Sequence, residues 1–226
     1  ETIETVRDAR GAVMDAELKP DLAPYRRAQS LLLKAGALCN DAILQTQGGV
    51  ERAIGDPTEG ALVVAAAHFG YRKEELDLRW PRVDEIPFTS ERKRMTTIHK
   101  VNVKDNDSEA PWSASPFVAF TKGAIDSLLE ICDRIWTGEQ DEFVPLDEAW
   151  RKRILDGNAK LAREGQRVLA LAFRPLQNKE EAQESNAVFI GLVGMIDPPR
   201  PEVKTAVAIA KEAGIRPIMI TGDHPL

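Results

Sequence analysis

Ala187-Val-Phe-Ile-Gly-Leu-Val-Gly-Met-Ile196, the stiff turn Asp197-Pro-Pro-Arg200, the helical pattern Glu202–Ala213 and the apolar run Arg216–Ile220 decide how this chain is organised. Strand, helix and strand in that order predict one βαβ unit, the mark of a parallel sheet. Upstream the style differs. Strands are predicted over Val83–Phe88, Met95–Val103, Pro116–Thr121 and Arg167–Phe173, with helices over Arg26–Asn40, Gly60–Phe69, Ala124–Trp136 and Asp147–Glu164. The expectation is an α+β domain over residues 1–194, an antiparallel sheet flanked by helices. A partial α/β domain then follows over 195–226.

Local signals support several of these boundaries. Asp56-Pro-Thr-Glu59 combines an Asp N-cap, Pro at the first helical position and a carboxylate in the first turn. Asp147 caps the long helix and Gly165 stops it. The polar stretch Lys104–Ser115, with Pro111, reads as an exposed loop.

Composition excludes several classes. A net charge of −6 argues against nucleic acid or an anionic membrane as partner. Two cysteines, Cys39 and Cys132, cannot make a disulfide framework or a Cys-rich metal site, and three scattered histidines lack ligand spacing. The longest apolar run is far shorter than the ~20 residues of a spanning helix. The acidic start Glu1-Thr-Ile-Glu4 does not resemble a signal peptide. A soluble piece excised from a longer protein is the expectation.

Five segments carry candidate chemistry. In Phe88-Thr-Ser-Glu-Arg-Lys-Arg-Met95 an aromatic ends one strand and three cations lead into the next; a base needs a π-face and a triphosphate needs positive charge. The same pattern equally suits a core Phe beside a solvated turn. Lys122-Gly-Ala124 stands where a strand gives way to a helix, so Lys122 can meet a ligand or simply lie on the surface. Arg167 opens a buried strand and can reach phosphate or form a surface ion pair, and Glu59 suits either the helix dipole or an amino-group donor. Thr221-Gly-Asp223 ends an apolar strand at the edge where parallel sheets bind ligands.

The order and spacing of these motifs resemble P-type cation-transporting ATPases, with calcium pumps and their bacterial relatives nearest. The resemblance spans nearly the whole chain, from Asp56-Pro-Thr-Glu59 through Met219-Ile-Thr-Gly-Asp223. It implies an ATP-binding domain in which Phe88 stacks on adenine and Glu59 lies near the adenine amino edge. Lys122 lines the same pocket, Gly123 and Ala124 permit close approach, and Arg167 contacts the phosphates. Asp197 resembles the hinge aspartate, and Thr221, Gly222 and Asp223 resemble the phosphate-site segment of the phosphorylation domain.

Two departures stand out. Ser90 occupies the place of a phosphate-contacting Arg in sarcoplasmic-reticulum-type pumps, and His224 follows Asp223 where some pumps have Asn. The family's Asp-Lys-Thr-Gly-Thr nucleophile and Gly-Asp-Gly-x-Asn-Asp magnesium loop do not occur in these 226 residues. The resemblance therefore implies ATP, accompanied by Mg²⁺, bound but not hydrolysed. The implied partners are the phosphorylation, actuator and transmembrane domains of one cytoplasm-facing membrane protein, and the strand edges of the tail offer a second copy the means to form a swapped dimer. Two competing readings are a haloacid-dehalogenase-type phosphatase, with Asp105-Asn-Asp107 as its nucleophile motif, and a non-catalytic interaction domain.

Overall fold

Along β8 (Arg167–Leu176) successive side chains enter two different cores, and that alternation organises the structure. Leu171 and Phe173 join one buried cluster, while Ala170 and Ala172 join another. A strand buried on both faces reads as a continuous apolar run instead of an alternating one. The computed structural model describes residues 26–47, 50–101, 111–112, 114–137, 143–196 and 201–218. These divide into two compact units, one ending at Met195 and one beginning at Ile196.

The larger unit is built on a seven-stranded sheet of order β3-β4-β5-β8-β9-β6-β7. Its strands are β3 (Arg82–Thr89), β4 (Arg94–Lys100), β5 (Phe117–Gly123), β6 (Cys132–Trp136), β7 (Phe143–Pro145), β8 and β9 (Ala187–Met195). Neighbours pair antiparallel except β6 with β9. Helix α1 (Arg26–Leu38) packs on one face, joined by α2 (Pro57–His68) and α3 (Lys73–Arg79). Helices α4 (Ile125–Ile131) and α5 (Glu148–Arg163) contact β8 and β9 within the second core. A small hairpin, β1 (Ile43–Gln47) with β2 (Val50–Ile54), stands beside α2.

The α+β expectation and the capped helices hold. Asp56 accepts hydrogen bonds from the Thr58 and Glu59 amides, and Asp147 accepts one from Trp150. Three readings are corrected. Ala124–Trp136 is not one helix: it ends at Ile131, and Cys132–Trp136 becomes a strand. Ile135 and Trp136 are adjacent yet bury in different clusters, which a strand's two-residue period allows. The segment read as an exposed loop contains Trp112, only 1% exposed, with its ring against Trp80, Phe120 and Phe173. A polar segment average conceals one large apolar side chain.

The third correction concerns the βαβ unit. Strand β9 is a member of the larger sheet, hydrogen-bonded antiparallel to β8. In the smaller unit α6 (Pro201–Glu212) forms as expected and is followed by Gly214, whose φ of 73° is a left-handed stop that glycine supplies without strain. Residues 215–218 carry no strand, and 219–220, the rest of the predicted strand, lie outside the described residues.

Candidate functional site

The sheet register gathers the predicted residues of the larger unit at one end. Gly123, last in β5, pairs with Arg94 at the start of β4 and with Ala170 near the start of β8. Arg94 also pairs with Thr89, so Phe88 reaches the same end. Lys122 sits between Met95 and Leu171, sharing its face of β5 with Val118 and Phe120. Register alone brings Phe88, Met95, Lys122 and Arg167 to one rim.

Helix α2 adds a fifth component. Lys122 Nζ donates to Glu59 Oε1 in a largely buried ion pair, the side chains 9% and 17% exposed. The other Glu59 oxygen accepts from the Asp41 amide at 3.1 Å. Asn40, 1% exposed, fixes this corner: its side-chain amide donates to the Gly36 and Glu59 carbonyls, and its oxygen accepts from the Ala42 amide. The end of α1 is thereby tied to the first turn of α2. Removing either charge would strand the other beside the core, a substantial penalty.

One residue earlier, Thr58 Oγ1 accepts from Arg167 Nη1 at 2.9 Å. Slight burial pushes the Asp56 carboxyl up, but the Glu59 and Thr58 donors and the Arg167 charge outweigh it, leaving Asp56 below the usual range. The first turn of α2 therefore touches both Lys122 and Arg167. Phe88 is left 60% exposed on its strand, an aromatic surface open to solvent.

The three-cation cluster is divided. Arg92 and Arg94 donate to Glu184 at 2.7 and 2.8 Å, and the Glu184 side chain is itself 8% exposed. Only Lys93 points elsewhere, to Asp126 at 3.2 Å with both side chains exposed. The pooled positive charge expected from sequence is thus largely neutralised, because Arg92 in the turn and Arg94 at the start of β4 both meet one carboxylate. Lys93 adopts φ 52°, and its carbonyl accepts from the Ala124 amide at 3.0 Å. Gly123 is bare for this reason: a Cβ there would meet the Lys93 oxygen at 2.4 Å. The close approach that glycine allows here is by the β3–β4 turn.

Asp197, Thr221, Gly222 and Asp223 lie outside the described residues, as does Asp105-Asn-Asp107. Among the described residues no cluster of His, Cys, Asp or Glu could hold a metal ion, and no helix is long and apolar enough to cross a membrane. Sequence reading missed Asn40, Thr58 and Glu184. Asn40 ends a predicted helix, a recognisable cap position, but nothing in the sequence ties it to Glu59 or Glu184 to residues 88–92 positions upstream.

Comparison with known proteins identifies the family. Residues 28–202 match the family model for the P-type ATPase cytoplasmic domain N. The chain is 42% identical over 199 residues to calcium-transporting ATPase 1 of Bacillus cereus, covering 87% of this chain and 20% of that protein. It is 36% identical over 222 residues to the calcium-transporting ATPase of Bacillus subtilis, covering 96% and 23%. A sodium/potassium exporting P-type ATPase of Schizosaccharomyces pombe is 38% identical over 202 residues, covering 86% and 18%. The chain spans about a fifth of the length of these relatives. It belongs to the P-type ATPase family, as a cytoplasmic domain N.

Proposed function

We propose that this domain binds ATP, accompanied by Mg²⁺, at the sheet end formed by Phe88, Lys122 and Arg167. The observation that carries the reading is the convergence on the first turn of α2: Glu59 holds Lys122, Thr58 holds Arg167, and exposed Phe88 ends a strand at the same rim. In this reading Phe88 stacks on adenine, and Glu59 with Lys122 meets the polar edge of the base. Arg167 turns from Thr58 to the phosphates. Gly123 and Ala124 keep the Lys93 turn closed against Lys122.

A base stacked on one aromatic gains ~1–3 kcal/mol, and a few hydrogen bonds add ~1 kcal/mol each. A total of about −4 to −6 kcal/mol corresponds to a Kd on the order of 0.1–1 mM. Titration of the labelled domain with ATP, followed by amide chemical shifts, tests this. Shifts at residues 58–59, 88–95 and 122–124 are expected, and their absence at millimolar ATP would refute it.

In the whole protein the domain would present the γ-phosphate to an aspartate of the phosphorylation domain, whose carboxylate takes the phosphoryl group as the β–γ bond breaks and ADP leaves, forming an aspartyl-phosphate that drives cation transport across the plasma or inner membrane. Phosphoryl transfer rests on positioning and charge neutralisation, so a domain without the nucleophile binds without hydrolysing. Calcium is the first candidate ion because relatives carry that name, though another is named for sodium and potassium. We assign residues 1–194 to the nucleotide domain and 195–226 to a phosphorylation-domain segment, with Asp197 at the hinge and Thr221, Gly222 and Asp223 facing phosphate. The division of the described residues after Met195 supports that boundary. Val203, Ile209, Ile215 and Ile218 are exposed in the smaller unit. In the isolated chain a swapped dimer would cover them, and a concentration-independent monomer in light scattering would remove that idea.

A further inference from the structure

The connection from β8 to β9 places one carboxylate under the β3–β4 turn, and we infer that Glu184 is a positioning residue for nucleotide binding. The inference rests on the ATP reading above. Glu184 lies on the sheet face opposite Lys122. One oxygen accepts from Arg92 Nη1 and, at 3.0 Å, from Thr96 Oγ1; the other accepts from Arg94 Nε. Thr96 Oγ1 in turn meets Thr121 Oγ1 at 2.8 Å across the β4–β5 pair.

Each arginine passes the constraint on. Arg92 Nη2 donates to the Pro87 carbonyl, immediately before Phe88. Arg94 Nη1 donates to Ser127 Oγ at 2.9 Å, and Ser127 Oγ donates to the Arg92 carbonyl. One carboxylate therefore holds both ends of the turn that carries Phe88 and Lys93, and pins the turn to α4. Burial pushes the Glu184 carboxyl up, but the hydrogen bonds from Arg92, Arg94 and Thr96 prevail and hold it below its ordinary range.

Without this charge, Arg92 and Arg94 repel each other and the turn loses its anchor. Glu184 touches no nucleotide in this account. It fixes the aim of Phe88 and Lys93, so its loss should weaken ATP binding through the turn alone.

The experiment uses the 226-residue chain and its Glu184→Ala and Glu184→Gln variants, with ATP as probe. Amide shifts give the dissociation constant, and hydrogen exchange gives local protection. Glu184→Ala should weaken ATP at least fivefold and speed exchange at Arg92, Lys93 and Ala124, with the β8–β9 ladder exchanging at parental rates. Glu184→Gln, keeping one acceptor oxygen, should fall between. An affinity within twofold of the parent overturns the inference. So does an affinity loss accompanied by uniform loss of protection across the sheet, which marks a merely structural role. A parent chain that shows no ATP response defeats the ATP reading and this inference together; a parent that binds while Glu184→Ala binds equally defeats the Glu184 assignment alone.

Discussion

Gly123→Ala should act far beyond its single added methyl. The new Cβ would stand 2.4 Å from the Lys93 oxygen, 2.6 Å from Arg94 Cβ and 2.8 Å from Arg94 Cα, where real contacts almost never fall below 3.0 Å. Two of these atoms are backbone, so no side-chain rotation relieves the overlap. Gly123 is not in a positive-φ conformation, so alanine itself suits the strand and recovers ~0.4–1 kcal/mol through the unfolded chain. Against that stand an overpacking cost of ~1–3 kcal/mol and the ~1 kcal/mol of the Ala124–Lys93 hydrogen bond. A net destabilisation of about 1–3 kcal/mol should appear in urea unfolding, with altered amide shifts from Thr89 to Arg94. Gly157→Ala is the control. It lies inside α5, where a Cβ meets only Leu192 Cδ1 at 3.8 Å, and it should stabilise by ~0.5–1 kcal/mol. A Gly123→Ala protein as stable as its parent, with unmoved turn amides, would refute this packing argument.

Two further outcomes follow from the core. His99 is fully buried, its ring between the Trp80 carbonyl at 2.8 Å and Thr97 Oγ1 at 2.9 Å, and burial drives its pKa down from 6.5 to about 4. The unfolded chain takes up the proton first as pH falls, so this stability is complete above pH 6.5 and is lost progressively toward pH 4. About 2 kcal/mol should disappear between pH 6.5 and 5, and a flat urea-unfolding free energy over that range would contradict it. Trp112→Ala removes a ring packed 5.0 Å from Phe120 and 5.6 Å from Trp80 and Phe173. It should cost ~3–5 kcal/mol, and a loss below 1 kcal/mol would show that the ring is not core.

The legible parts of the fold were those whose pattern is local. Asp56-Pro-Thr-Glu59 announced α2 because cap, proline and carboxylate act within one turn. The β8 run announced a buried strand because its apolar residues are contiguous. Strand β6 was hidden because Ile131, Ile135 and Trp136 also satisfy helical spacing, and only pairing with distant Ala187–Phe189 selects the strand. Trp112 was lost in a polar segment for the same reason, since its partners lie on three other elements. In the candidate site, individual residue types were legible. The Glu59–Lys122 pair, 63 positions apart, and the Glu184 contacts, about 90 apart, are products of the register.

The most direct measurement is an ATP titration of the parent domain beside Phe88→Ala. Phe88 is 60% exposed, so its truncation spares the core, and parent and variant should give the same amide spectrum away from residues 86–95. Losing one base–aromatic stack of ~1–3 kcal/mol weakens binding roughly 5- to 150-fold, pushing a submillimolar Kd to several millimolar or beyond. Equal affinity in the two proteins, or ATP-induced shifts confined to residues away from Glu59, Phe88, Lys122 and Arg167, would contradict a nucleotide site at this end of the sheet.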